Sequence, residues 1–139
     1  MPILSLKVSA QPSRELVAAA SQILLDLTER ILHKNRALMA IAIDFVPPEH
    51  WVVGGTTLAE QGKRSFFLDI KIVDGTNTKD EKAAYVAAVF EELGRLLGDL
   101  HDESYIHVHD VRADAYGYGG RTQEHRYVAG KLAAPRRAA

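Results

Sequence analysis

Pro2, which follows only Met1, is the residue of this sequence with the most unusual chemistry. Removal of Met1 would leave Pro2 with a secondary amine on a rigid ring. An ordinary α-amino group has a pKa of about 7.7–8.0, and burial or a neighbouring cation lowers it by disfavouring the protonated form. A base whose pKa lies near the working pH is the most effective. Pro2 is therefore the candidate catalytic base, and the alternative is a proline that simply begins a strand.

Composition limits the other groups that can do chemistry. The 139-residue chain has no cysteine, which excludes disulfides, thiolate nucleophiles and cysteine-ligated zinc. His107 and His109 alternate along the chain, so in a strand they point the same way, with Asp110 and His101 close in sequence. Two histidines without a clear third ligand are weak grounds for a metal site. The sequence therefore assigns no metal and no cofactor.

The charge and hydropathy patterns favour an ordinary globular domain. Apolar residues make up 47% of the chain and charged residues 25%, and the formal net charge is -1. Without a long run of one sign, no nucleic-acid partner is expected. No apolar stretch approaches the roughly 20 residues of a membrane span, and no signal peptide is recognisable. We expect a cytoplasmic protein without a membrane partner.

The sequence contains an internal repeat. HWVVGG (50–55) recurs as AYGYGG (115–120), and the same shift aligns RIL (30–32) with RLL (95–97). The opening strand LSLKV aligns one residue closer, with LDIKI. Each half alternates apolar and polar residues, then shows helical spacing after a capping residue, and then alternates again, which predicts two β-α-β units.

The repeat predicts an α+β fold with a four-stranded sheet and two helices on one face. The expected strands and helices are Leu4–Val8, Ser13 to about Asn35, Ala40–Val46, Phe66–Val73, Thr78 to Leu97 and Tyr105–Val111. One domain is expected over 1–130, with pseudo-repeats 2–62 and 63–130 and a flexible tail over 131–139. The side chains assigned to the helix face are Ile41, Ile43, Ile106 and Val108. The opposite face, which carries Tyr105, His107 and His109, is expected to need partner subunits.

A strand beginning at Pro2, two β-α-β units and Gly-Gly turns after an aromatic residue resemble the tautomerase superfamily. This group includes 4-oxalocrotonate tautomerase and macrophage migration inhibitory factor, and the resemblance spans about residues 2–120. It implies a homotrimer with a central barrel and active sites at subunit boundaries. It also implies that the amino-terminal proline is the general base of a keto–enol tautomerase or isomerase. The implied partner is a small 2-keto or 2-hydroxy-enoate acid of the phenylpyruvate type.

The resemblance also suggests substrate-binding residues, position by position. Arg36, with Lys34 close by, falls where relatives of migration inhibitory factor have a carboxylate-binding lysine. Tyr105 and His107 match an aromatic wall and a polar donor that reach the site from the neighbouring subunit. The other matches are a pocket-lining apolar position and the aromatic residues before the two Gly-Gly turns, namely Ile70, Trp51 and Tyr116. Core packing, interface packing or solvation would explain each of these residues equally well.

Some positions depart from the superfamily pattern. Pro12 and Ala40 stand where 4-oxalocrotonate tautomerase has arginines, and DGTN (74–77) replaces the arginine pair of the dehalogenases and decarboxylases. A monocarboxylate or a neutral keto–enol compound therefore fits better than a dicarboxylate. The alternatives are a catalytically weak ligand-binding or interaction protein of the same fold, or another proline-dependent reaction such as hydration or decarboxylation.

The segment RTQEHR (121–126) follows the second Gly-Gly turn and is dense in hydrogen-bonding groups. It is interpreted as a solvated surface strand, as an edge strand that clasps the neighbouring subunit, or as part of the pocket rim.

Overall fold

The computed structural model describes residues 2–135; Met1 and residues 136–139 lie outside the described part. The strands are β1 (Ile3–Val8), β2 (Ala40–Phe45), β3 (Val52–Val53), β4 (Thr56–Thr57), β5 (Phe66–Val73), β6 (Tyr105–Val111), β7 (Gly117–Tyr118) and β8 (Arg121–Thr122). The helices are α1 (Arg14–Leu32), α2 (Leu58–Gln61), α3 (Lys79–Leu97) and α4 (Gln123–Ala133). Short 3₁₀ turns occupy Arg36–Leu38 and Pro48–His50.

The main sheet has the strand order β2-β1-β5-β6. β1 pairs with β2 and β5 with β6 in parallel, and the helices α1 and α3 connect the members of these pairs. The central pair, β1 and β5, is antiparallel. The predicted α+β fold with two β-α-β units is confirmed. The antiparallel junction places the start of β1 at the same end of the sheet as the ends of β5 and β6.

Burial separates the two faces of the sheet. Along β1, Leu4, Leu6 and Val8 are fully buried against α1 and α3, while the residues between them are exposed. The four residues assigned to this helix face from the sequence do pack against the core, namely Ile41, Ile43, Ile106 and Val108. The other face, here called the open face, is uncovered in the protomer and carries the exposed side chains of Tyr105, His107 and His109.

Capping residues set the ends of the long helices. The Ser13 hydroxyl accepts from the Leu16 N–H at 3.1 Å, and Thr78 and Glu81 form a reciprocal capping box at the start of α3. α1 ends at Leu32, earlier than the expected Asn35, because His33 adopts a left-handed conformation with φ of 59°. Across the described residues, no helix is both long and apolar enough to pass through a membrane.

The two Gly-Gly turns are equivalent hairpins. The pairs Gly54–Gly55 and Gly119–Gly120 all have positive φ, between 62° and 84°. A two-residue hairpin turn with both central φ angles positive matches the twist of the flanking strands and favours glycine at both positions. The repeated glycines therefore have a backbone cause.

A threonine after each hairpin begins a helix. Thr57 caps α2, which ends after one turn at Gly62, whereas Thr122 caps α4, which continues to Ala133. The strand interpretation of RTQEHR is therefore wrong beyond Thr122, because its last four residues form the first turn of α4. α4 also includes the first three residues of the expected tail; the last four residues of that tail lie outside the described residues.

One buried hydrogen bond joins α1 to α3. The hydroxyl oxygens of Thr28 and Tyr85 lie 2.8 Å apart, and both residues are fully buried. Burial raises the pKa of Tyr85 to about 12, although the bond to Thr28 acts in the opposite direction. The phenol is therefore neutral in the folded chain over a wider pH range than in the unfolded chain.

We expect Tyr85→Phe to lower the free energy of unfolding at pH 7 by about 1 kcal/mol, the net value of one hydrogen bond. The raised pKa favours the folded state fully below pH 10 and loses this effect as the pH rises toward 12. At pH 11 the wild type should have lost roughly 1 kcal/mol that the variant keeps, so the two stabilities should nearly coincide. Urea unfolding at pH 7 and pH 11 measures the difference in stability between the wild type and Tyr85→Phe, and Thr28→Val is the matched control that removes the other hydroxyl of the hydrogen bond. A difference that is the same at both pH values would contradict the raised pKa of Tyr85.

Candidate active site

Pro2 lies at the start of β1 and is buried. Its carbonyl oxygen accepts from the Ala40 N–H at 3.4 Å, which ties it to β2. Ile3 pairs with Lys71, so the same register places Pro2 beside Ile72, and Ile72 in turn pairs with Asp110. The candidate base therefore belongs to the sheet end where β5 and β6 finish.

Lys34 supplies a cation at this sheet end. It follows the left-handed His33, and its Nζ donates to the Thr76 hydroxyl at 2.8 Å. The Thr76 hydroxyl donates to the Val73 carbonyl at 2.6 Å, which fixes the loop after β5. Burial lowers the pKa of Lys34, against the opposing effect of the Glu81 and Asp110 carboxylates. Within residues 2–135, Lys34 forms no direct ion pair.

Two buried acceptor oxygens lie on the elements that surround Lys34. Asp110 Oδ2 accepts from Lys82 Nζ at 2.7 Å, but Asp110 Oδ1 is buried and has no partner among the described residues. The amide of Asn77 donates to the Leu32 carbonyl at 2.9 Å, and its buried Oδ1 is likewise unpartnered in the described part of the chain. A buried acceptor without a donor raises the free energy of the folded state.

A cavity of about 470 Å³ opens between the loop after β5 and the first turns of α4. Its lining residues are Val73, Thr76, Ala113, Gln123, Glu124, Arg126 and Tyr127. Thr76 connects this cavity to Lys34 through the hydrogen bond described above. Pro2 is not among the lining residues, so the cavity and Pro2 share a sheet end without direct contact.

Arg126 is a second cation in the wall of this cavity. Its Nη2 donates to the Tyr118 carbonyl at 2.9 Å, and its guanidinium carbon lies 3.8 Å from the centre of the Tyr118 ring. Its Nε is buried and has no partner within residues 2–135. Stacking on the ring holds the guanidinium in place, which leaves an N–H that suits a carboxylate.

Arg36 is engaged elsewhere. It begins the 3₁₀ turn before β2, and its Nη1 lies 2.5 Å from Asp26 Oδ1 on α1. The hydrogen bond from Arg36 lowers the pKa of Asp26. Its guanidinium is thus directed to the flank of α1, whereas Lys34 is directed to Thr76.

Trp51 and Tyr105 meet at the opposite end of the sheet. Both line a cavity of about 900 Å³, together with Phe67 and Glu103. The Tyr105 hydroxyl donates to the Glu103 carboxylate, and this bond raises the pKa of Tyr105. Because β6 has seven residues, about 20 Å of strand separates this end from the Pro2 end within one protomer.

The remaining candidates are scattered. Ile70 is fully buried in the core, and His107 is exposed in the middle of the open face. Tyr116 lies just before β7, beyond the end of β6, and burial raises its pKa. The structure therefore brings Tyr116 to the Pro2 end of the sheet but not Ile70 or His107.

The metal constellation considered from the sequence is not formed. Asp110 points to the helix face, where it binds Lys82, while His107 and His109 point to the open face. His101 precedes β6 and its Nδ1 accepts from the Glu103 N–H at 2.9 Å. Asp110 therefore lies on the opposite face of the sheet from the two histidines, and His101 lies before the start of β6.

Sequence reasoning considered Asp110 only as a metal ligand and Arg126 only as part of a segment that could form the pocket rim, and it did not consider Thr76. For Arg126 a signal exists, because the 65-residue repeat makes Thr122 the counterpart of the helix cap Thr57. A helix after Thr122 would have turned Arg126 toward the end of β5. Thr76 and Asp110 carry no comparable signal, since their role depends on contacts across the sheet.

Comparison by sequence finds no matching family profile and no curated protein. Comparison by structure finds many similar chains. Pt0534 inactivated by 2-oxo-3-pentynoate has a TM-score of 0.77 at 14% identity, covering 89% of this chain and 98% of its own. Native fused 4-OT gives 0.75 at 20% identity, with coverages of 88% and 97%. A macrophage migration inhibitory factor-like protein from Entamoeba histolytica gives 0.71 at 17%, with 87% and 97%. This chain has the tautomerase superfamily fold.

Proposed function

We propose that this chain is a keto–enol tautomerase that uses the Pro2 amine as a general base on a small 2-keto or 2-hydroxy-enoate acid. The observation that carries the proposal is the burial of Pro2 at the sheet end that also holds Lys34 and the cavity beside Arg126. The proposal includes removal of Met1, because an acylated proline nitrogen has no basicity. A neighbour of the same fold is described as inactivated by a 2-oxo acid, which supports this substrate class.

The surroundings suit an amine that is unprotonated at neutral pH. Pro2 is buried, and burial disfavours the charged form of an amine. The ammonium of Lys34 at the same sheet end also disfavours the protonated form of the Pro2 amine, because it repels a second positive charge. The pKa of the Pro2 amine should therefore lie below that of an ordinary α-amino group, near the pH at which a general base is most effective.

Lys34 and Arg126 are proposed to hold the substrate carboxylate. Lys34 donates to a neutral hydroxyl and not to a carboxylate, and Arg126 retains a buried N–H without a partner among the described residues. Both groups can accept an anion without first breaking an ion pair, whereas Arg36 would have to leave Asp26. The largely apolar cavity suits the remainder of an aryl or alkyl keto acid.

The proposed reaction moves one proton between oxygen and carbon. The Pro2 amine removes the proton from the enol oxygen and becomes protonated. As the C2 carbonyl forms, the C=C electrons take this same proton from the Pro2 ammonium at C3, so the base is regenerated. Lys34 and Arg126 stabilise the negative charge that spreads over the carboxylate and the enolate oxygen, since both are cations fixed before the reaction.

We propose that the active assembly is a homotrimer. Trp51 and Tyr105 lie a sheet length away from Pro2 in the protomer, so they can reach it only from another copy. The open face exposes Phe67 and Tyr105 side chains at 37% and 57%, which favours an interface. Two fused 4-OT structures of the same fold are described as trimers.

Replacement of Pro2 tests the base. For Pro2→Ala we expect kcat/KM for phenylenolpyruvate ketonisation to fall at least about 100-fold, which is the contribution typical of a positioned base. Mass spectrometry must show that Met1 is absent from the wild type. An unchanged rate in the variant, or a retained Met1 in an active enzyme, would exclude Pro2 as the base.

Lys34→Gln and Arg36→Gln distinguish the two candidate carboxylate-binding cations. Because Lys34 faces Thr76 and Arg36 is paired with Asp26, we expect Lys34→Gln to raise KM about 10-fold or more and Arg36→Gln to have the smaller effect. Steady-state kinetics with phenylenolpyruvate gives both values, and Lys34→Arg should restore part of the binding. The reverse order of the two effects would assign the carboxylate to Arg36.

Mixing of inactive variants tests whether the site is shared between protomers. If Pro2 of one protomer works with Tyr105 of another, co-expressed Pro2→Ala and Tyr105→Ala chains should recover about a quarter of the wild-type rate in random trimers. Light scattering should give three times the chain mass of 15.3 kDa. Mixed trimers no more active than the separate variants would show that the two residues do not share a site.

A further inference from the structure

Three potential metal ligands come together on the open face, apart from the Pro2 end. His107 and His109 are alternate residues of β6, and Asp69 of β5 pairs directly with His107. One ligand atom from each of these three residues lies within 4.8 Å of the other two. The imidazole centroids of His107 and His109 are 4.4 Å apart, with their planes tilted by 39°.

The geometry is close to that of a metal site. In a tetrahedral zinc site with bonds of about 2.1 Å, neighbouring ligand atoms are about 3.4 Å apart. Side-chain rotations that move the ligand atoms by about an ångström would therefore bring the three atoms to this separation. The backbone needs no movement, because the ladder between β5 and β6 already holds Asp69 opposite His107.

The ligand types favour a borderline divalent ion. Two imidazoles and one carboxylate form a donor set used for zinc and other first-row transition metals, with positions left for water. In the protomer the cluster is open to solvent, because both histidines are exposed and Asp69 is only half-buried. An ion can thus enter without unfolding of the sheet.

Lys71 competes for the same carboxylate. Its Nζ lies 3.0 Å from Asp69 Oδ1, and the side chain is 40% exposed. The ammonium occupies one carboxylate oxygen and repels an incoming cation, but the second oxygen takes no part in this pair. An exposed lysine of this kind moves into solvent at small cost. Lys71 should therefore weaken metal binding without preventing it.

The geometry points to a Zn²⁺ site formed by Asp69, His107 and His109 on the open face. The site uses no residue of the Pro2 end, so a failure to bind metal would leave the proposed reaction intact. It lies on the face that the proposed homotrimer uses as an interface, so the titration is made on the assembly whose mass is measured by light scattering.

Titration of the full-length, chelator-treated protein with Zn²⁺ alone tests the site. We expect one ion per chain, and a loss of affinity of about 100-fold or more when one ligand is removed by His109→Ala. His125→Ala, which removes an exposed histidine from α4, should leave the affinity unchanged. Circular dichroism shows whether each variant is folded, and Asp69→Asn repeats the test with an almost isosteric change.

Lys71→Met distinguishes the proposed site from nonspecific binding of Zn²⁺ to the protein surface. Removal of the ammonium should increase the Zn²⁺ affinity several-fold, because the Asp69 carboxylate loses its competing partner. Substitution with Co²⁺ should give the strong visible absorption of a low-coordinate site. Equal losses of affinity for His109→Ala and His125→Ala, or no stoichiometric binding by the folded protein, would overturn the assignment.

Discussion

The antiparallel pairing of β1 with β5 is the constraint on which the candidate active site depends. Within one β-α-β unit both strands start at the same sheet end, so loops that follow the strands lie at the other end. The central junction reverses the second unit relative to the first. As a result, the ends of β5 and β6, with Thr76 and Asp110, meet the start of β1 at Pro2. The second repeat thus supplies Thr76 and Asp110 at the sheet end of the candidate base, while the first repeat supplies Pro2 and Lys34.

The two repeats are equivalent in backbone but not in chemistry. The 64-residue shift that superposes the opening strands places Phe66 where the first repeat has Pro2. Phe66 is fully buried and lies inside the chain, so its nitrogen is an ordinary amide. The hairpins diverge in the same way, because Gly62 ends α2 while Tyr127 at the corresponding position continues α4. One chain therefore has one candidate base and one cavity closed by the longer helix.

The strands and helices were predictable because their signals are local. Alternation gave β5 and β6 with their observed bounds, and helical spacing after the capping residue Thr78 gave α3 up to its observed end at Leu97. The proposed carboxylate-binding cation was not predictable in the same way. The resemblance selects Arg36, with Lys34 close by, but the direction in which each side chain points depends on where α1 ends. That end is set by the left-handed His33 and by Asn77, 45 residues further along, which binds the Leu32 carbonyl.

The pleat of the sheet keeps the two candidate sites apart. Along β6, Asp110 faces the helices and binds Lys82, while its neighbour His109 faces away. A change of register by one residue would exchange these two environments and place an unpaired carboxylate on the open face. The helix-side residues of β6 oppose this exchange, because the same slip would remove Ile106 and Val108 from their packing against the core. The packing that stabilises the fold therefore also determines which titratable groups lie on the helix side and which remain available on the open face.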